Sequence, residues 1–207
     1  HETRNYVQVL GEYAARLNYL DAESFAKLVD QWRRASATSD FGQFLVEQNA
    51  LSEFDLARIQ REIRLATLPD SSDRFQVVRP HARGGLGEVF LAEDHQLHRE
   101  VAIKQLREDH ISDEDLRQRF FVEAELTGGL EHPGIVPVYG LGVDRSGVPF
   151  YAMRFIRGTS FREAIDTFHA ECAAGTDRGG KLAFRKLLGH FVATCNTLHY
   201  AHSRGVI

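Results

Sequence analysis

Between positions 82 and 89 the chain reads Ala82-Arg83-Gly84-Gly85-Leu86-Gly87-Glu88-Val89. Glycines at this density let a backbone approach a ligand without a Cβ in the way, and their N–H groups can face phosphate oxygens. Most glycine-rich hairpins bind nothing, so the run alone is weak. A strand is expected on its C-terminal side, which argues against a dinucleotide fingerprint, and it lacks the Gly-Lys-Ser/Thr ending of a P-loop. Lys104 closes the apolar run Val101-Ala102-Ile103-Lys104. An ammonium there costs free energy unless its charge is paired. In isolation such a lysine more often snorkels to water. Glu123 follows among Phe120, Phe121, Leu126 and Leu130. It is either a carboxylate reaching back to Lys104 from the edge of an apolar surface, or a solvated glutamate like Glu125.

These groups need elements to hold them. Short β-branched or aromatic runs at Phe75–Val78, Glu88–Ala92 and Val101–Lys104 predict strands. A helix opened by Ser112 and acidic residues 113 to 115 is expected to run to about Leu130. Two further strands are expected at Val136–Val143 and Val148–Ile156, split by the turn Asp144-Arg145-Ser146-Gly147. From Arg162 the pattern turns helical, with Gly175, Gly179 and Gly180 separating a short helix from one at about Leu182 to Ser203.

Residues 1 to about 70 read as helices, with apolar stripes such as Leu10, Tyr13, Leu17 and Phe54, Leu56, Ile59, Ile63. Asn18-Tyr19-Leu20-Asp21 through Leu28 resembles Asn49-Ala50-Leu51-Ser52 through Ile59, an offset of 31 residues. Asp21 or Ser52 caps a helix in each copy, and Ser52 with Asp55 has capping-box spacing. The likeness reads equally as a duplicated helical unit or as chance similarity of two amphipathic helices. Thr67 to Asp73 is polar and turn-rich and reads as a linker.

Order joins the weak signals. A glycine-rich hairpin, Lys104, Glu123, His132-Pro133-Gly134-Ile135-Val136 and Tyr151-Ala152-Met153-Arg154-Phe155 follow one another as in protein kinases. Residues 74 to 207 resemble eukaryotic-type bacterial Ser/Thr protein kinases, most of all those of planctomycetes, in which a similar helical extension is frequent. The resemblance implies an α+β fold with a five-stranded antiparallel sheet and one packed helix. It divides the chain into a helical extension (1–70), an N-lobe (74–157) and the first helices of a C-lobe (158–207). It implies that ATP is the phosphate donor. Ala82, Arg83, Gly84, Gly85, Leu86 and Gly87 would cover the phosphates, and Val89 and Ala102 would sandwich the adenine. Lys104 would hold the α- and β-phosphates and Glu123 would orient it. Met153 would guard the back of the pocket, and the backbones of Arg154 and Ile156 would meet the adenine edge. Ala82 departs from the glycine usual at its position, and Arg154 from a frequent acidic residue.

No His-Arg-Asp, catalytic-loop Asn, Asp-Phe-Gly or Ala-Pro-Glu occurs in the 207 residues. Substrate orientation and Mg²⁺ binding fall to those residues, so no metal ligand is assigned here, and the chain alone is expected to transfer no phosphate. A Ser/Thr kinase in the full-length parent is the first reading, with protein substrates. A nucleotide-binding scaffold resembling a pseudokinase is the second, and the helical extension could recruit a partner of its own. The apolar Phe184, Leu187, Leu188, Phe191, Val192, Leu198 and Tyr200 are expected to leave the last helix with an uncovered face.

The rest of the composition sets bounds. The chain carries 25 Lys+Arg against 29 Asp+Glu, a net charge of −4, with 43% hydrophobic and 26% charged residues. That balance gives no general attraction to nucleic acid or lipid. No run of about 18 apolar residues predicts a membrane span. Cys172 and Cys195 are too few for a disulfide framework and fit a reducing, cytoplasmic setting. The only methionine is Met153 and the first residue is His1, so translation is not expected to start here. The pairs His95/His98 and His199/His202 lack completing ligands for a metal. Cys195 is expected to be a small buried helix residue, Trp32 core, and Arg33-Arg34 a solvated face.

Overall fold

Side-chain caps set where the N-terminal helices begin. In the computed structural model, which describes residues 2–35, 40–71, 73–174 and 180–206, the chain divides into two units, His1–Pro69 and Asp70–Ile207. The first holds α1 (Glu2–Arg16), α2 (Ala22–Arg34), α3 (Phe41–Glu47) and α4 (Glu53–Ala66). The Asp21 carboxylate accepts from the Ser24 N–H at 2.8 Å, and Ser52 and Asp55 cap each other reciprocally. The preceding helices end alike as well. Asn18 and Asn49 adopt left-handed backbone, and the N–H groups after them return to the carbonyls of Ala14 and Leu45. Gly11 lies under Phe25 and Gly42 under Leu56, where a Cβ would fall 2.5 and 3.0 Å from those side chains.

The 31-residue likeness is therefore a structural duplication. Backbone hydrogen bonds, caps and close approaches repeat at matching positions, which chance similarity of amphipathic helices does not produce. The core of the unit is built from Leu10, Ala14, Phe41, Leu45 and Ile59, each at most 1% exposed. Trp32 packs edge-on to Phe41, with ring centroids 5.2 Å apart, and Arg33 and Arg34 are exposed. Phe54 departs from the expected stripe. It lies in the first turn of α4 and is 74% exposed.

The second unit carries β1 (Phe75–Arg83), β2 (Gly87–Asp94), β3 (Arg99–Leu106), α5 (Glu114–Gly128), β4 (Val138–Val143), β5 (Pro149–Arg154), α6 (Phe161–Ala173) and α7 (Gly180–Ser203). The five strands form one sheet in the order β1-β2-β3-β5-β4, every neighbour antiparallel. With α5 packed on it, this is the expected α+β arrangement. β1 is longer than expected because two bulges, at Val78 and His81, keep it paired through Pro80 to Arg83. β4 and β5 are shorter, since Arg154 N–H already bonds Pro137 O at 3.1 Å where the strands part.

Asp113, not Ser112, caps α5 through the Leu116 N–H at 3.0 Å. Leu126 is 45% exposed, so the apolar side of α5 is Phe120, Phe121 and Ala124. The expected linker is tied to the sheet: Ser71 N–H donates to Val143 O at 3.1 Å. Ser72, Gly175, Gly179 and Ile207 lie outside the described residues. On α7, Leu182, Phe184, Leu188, Phe191, Val192 and Leu198 are 46–61% exposed. Cys195 is exposed too, contrary to expectation, because no element among the described residues covers its side of α7.

Candidate active site

Residues directly opposite on antiparallel strands project to the same face of a sheet, as do residues two apart on one strand. Val89 is opposite Lys104 and Ala102 opposite Leu91 across β2–β3. Lys104 is opposite Tyr151 and Ala102 opposite Met153 across β3–β5. Ala82 is opposite Val89. Ala82, Val89, Ala102, Lys104, Tyr151 and Met153 thus share one face. α5 packs on that face, with Phe120 against the Tyr151 ring at 5.2 Å between centroids.

Glu123 comes down from α5 onto this surface. Lys104 Nζ donates to Glu123 Oε1, forming an ion pair. The Tyr151 hydroxyl donates to the same oxygen at 2.8 Å. The lysine side chain is 17% exposed and the glutamate 41%. Burial, the Glu123 hydrogen bond and the carboxylate charge push the Tyr151 hydroxyl far above the ordinary tyrosine range, so it stays a donor. The cost of placing an ammonium in an apolar strand is met by this partner.

The glycine run adjoins the lysine. Gly84 N–H donates to Gly87 O at 2.9 Å and closes the turn. A Cβ on Gly87 would sit 2.6 Å from Gln105 O and 3.4 Å from Lys104 Cγ and Cε, so the backbone lies directly on the lysine stem. A Cβ on Gly85 would meet nothing within 4 Å. Arg83 is paired with Glu88 at 3.0 Å, and Leu86 is half-buried. Ile156 lies past the end of β5 and is 56% exposed. The N–H of Arg154 is committed to Pro137, so of its main-chain polar groups only the carbonyl could serve a ligand.

Two features escaped the sequence. The Tyr151 hydroxyl looks like an ordinary strand aromatic until the register is known. His81, the extra residue of a bulge, meets the Phe155 ring edge-on at 5.1 Å and joins the strand before the glycine run to the segment after β5. No spacing rule marks either.

The opposite face of the sheet has its own core, Ala92, Val101, Ile103, Phe150 and Ala152. A cavity of about 550 Å³ opens there over Phe75, Ile103 and Phe150, rimmed by Asp73, Gln105 and Arg145. Its polar rim is internally paired, Arg145 with Asp73 at 3.0 Å and Gln105 with Asp144 at 2.6 Å. It lies away from the lysine. Among the described residues no group of three or more His, Cys, Asp or Glu could hold a metal ion. His95 meets Gln76 at 2.9 Å.

Residues 75–207 match the family model described as protein tyrosine and serine/threonine kinase. The serine/threonine-protein kinase PknD of Chlamydia trachomatis serovar D is 37% identical over 134 residues, 65% of this chain and 14% of the relative. PknD of Protochlamydia amoebophila is 34% identical over 143 residues, 68% of this chain and 14% of the relative. The chain thus spans about a seventh of the length of these relatives. The kinase domain of Mycobacterium tuberculosis PknI shares 27% identity, with 64% of this chain and 49% of that one covered at a TM-score of 0.46. With the family model covering well over half of its residues, the chain belongs to the protein tyrosine and serine/threonine kinase family.

Proposed function

We propose that this chain binds ATP and holds its phosphates for transfer to serine or threonine of protein substrates, as the nucleotide-positioning part of a serine/threonine protein kinase. The observation that carries the reading is the Lys104–Glu123 pair lying directly under the glycine turn. An anchored ammonium beside exposed backbone N–H groups is suited to a polyphosphate, whose oxygens take both kinds of donor. Ala82, Arg83, Gly84, Gly85, Leu86 and Gly87 would cover the phosphates. Val89, Ala102 and Met153 would line the base, and the backbones of Arg154 and Ile156 would meet its edge. Mg²⁺ and the transfer chemistry would depend on residues outside these 207.

The intact pair favours an enzyme over a nucleotide-binding scaffold, because a degenerate kinase often loses one member of it. No described helix is long and apolar enough to cross a membrane, and the cysteine usage supports work in the cytoplasm. The duplicated helical unit would serve targeting or regulation through a partner.

Titration with a fluorescent ATP analogue tests the reading. Lys104→Ala is expected to weaken binding about tenfold, the scale of one charge-assisted contact. In the full-length protein it is expected to abolish phosphate transfer to a Ser/Thr substrate. Unchanged binding and transfer would remove Lys104 from the site.

A further inference from the structure

We propose that Tyr151 is a positioning residue, holding the Glu123 carboxylate in place so that Lys104 has a fixed partner before any nucleotide binds. This rests on the reading of Lys104 and Glu123 as the phosphate-positioning pair.

The register supplies the geometry. Tyr151 is directly opposite Lys104 on the neighbouring strand, so both side chains rise from one face and reach the same carboxylate oxygen. Tyr151 is 3% exposed. It grips α5 at two points three residues apart: its ring packs on Phe120 and its hydroxyl holds Glu123. Residues at that spacing lie on one side of a helix, so the tyrosine fixes both the position of α5 and its rotation. The ring also lies 5.7 Å from Lys104 Nζ, within reach of a cation–π attraction.

The glutamate needs such a hold. At 41% side-chain exposure, Glu123 has water as a competing partner and rotamer freedom to lose, and an ion pair in that setting is weakly fixed by charge alone. A second donor from a buried, rigid ring removes that freedom. Phenylalanine would fill the same volume, so only the hydroxyl requires an explanation in terms of the pair. Its shifted titration keeps it protonated throughout the working pH range.

The test uses the full chain, a fluorescent ATP analogue, and hydrogen exchange at Glu114–Gly128. Tyr151→Phe keeps the contact with Phe120 and removes the donor. It is expected to weaken analogue binding about tenfold and to speed exchange in α5. In a Glu123→Ala background it is expected to add no further loss of affinity, since the carboxylate it holds is gone. An equal loss in both backgrounds would reveal a packing role and overturn the proposal. Unchanged binding in Tyr151→Phe, with Lys104→Ala impaired, would overturn the proposal and leave the pair's role standing. If Lys104→Ala and Glu123→Ala both bind normally, the site itself is misread and the proposal falls with it. Should Tyr151→Phe fold poorly, Glu123→Asp decides: one methylene shorter, it cannot meet both donors and is expected to show the same loss. Full affinity in that variant overturns the proposal.

Discussion

Asn18 and Asn49 occupy the same place in two copies of one helical unit, with φ of 58° and 54°. Each follows a helix, and each stands three residues before the residue that caps the next helix, Asp21 or Ser52. The left-handed backbone reverses the chain in the space of one residue and lets the next N–H groups return to the helix end. Asparagine tolerates this conformation better than any residue with a branched or bulky Cβ.

Replacing either asparagine by alanine is therefore expected to cost about 1 kcal/mol, the strain of a Cβ in left-handed backbone. Replacement by glycine is expected to stay within about 0.5 kcal/mol of the parent, because relief of strain is offset by a more flexible unfolded chain. Urea unfolding followed by helical circular dichroism measures both. Alanine variants as stable as the glycine variants would show that the turn has another conformation in solution.

Much of this architecture was legible because it rests on local rules. Caps at Asp21 and Ser52 read directly from residue type and spacing, whereas the glycine turn, Lys104 and Glu123 gained meaning only from their order along the chain, and the Ser160 cap of α6 was not read at all. What stayed hidden depended on register or on cover. β1 runs through Pro80 to Arg83, a stretch with little β-propensity, because pairing with β2 holds it. Tyr151 looked apolar because only the register puts it beside Lys104. Leu126, Phe54 and Cys195 have the right periodicity for burial, but no neighbour among the described residues covers them, and periodicity cannot report the neighbour.

Asp94 tests the closing of the sheet. It has no exposure, takes Arg74 Nε and Nη2 at 3.1 and 2.9 Å, and accepts from the N–H groups of Gln96 and Leu97. Asp94→Ala leaves Arg74, whose side chain is 30% exposed, without its carboxylate at the start of β1 and is expected to lose about 1.5–3 kcal/mol. The Arg74 hydrogen bonds hold the Asp94 carboxyl below the usual range. A depressed folded-state pKa gives stability that is complete above the unfolded value, about 4, and lost as pH falls through the folded value. The melting temperature should drop on acidification below that point, and drop less steeply in Asp94→Asn. Parallel acid profiles of parent and variant would exclude Asp94 as a source.

The glycine run separates folding from binding. Gly87→Ala would put a Cβ 2.6 Å from Gln105 O, a backbone atom that cannot step aside cheaply, and is expected to cost about 1–3 kcal/mol. Gly85→Ala meets open space, so its thermal midpoint should match the parent. If Gly85 is there for a ligand, its variant should still bind the ATP analogue more weakly. A Gly85→Ala protein unchanged in both respects would take residue 85 out of the phosphate site.

The segment between α5 and β4 is fastened to α7. Glu131 N–H donates to the Tyr200 hydroxyl at 3.2 Å, and the His132 ring stacks on Tyr200 at 5.0 Å. Gly134 lies so close that a Cβ there would fall 2.1 Å from Thr197 Oγ1 and 3.1 Å from its Cγ2. Gly134→Ala must therefore push the segment off the helix, at about 1–3 kcal/mol. Thr197→Ala alone removes a hydroxyl that bonds to Ala193 O within its own helix, so a small change is expected. Thr197→Ala removes both threonine atoms from the new Cβ and leaves the His132 ring at 3.2 Å, so the double variant should recover most of the loss, a coupling of about 1 kcal/mol or more. Urea midpoints of the four proteins give the cycle. Strict additivity would mean that Gly134 and Thr197 are not in contact in solution and that the loop docks elsewhere on α7.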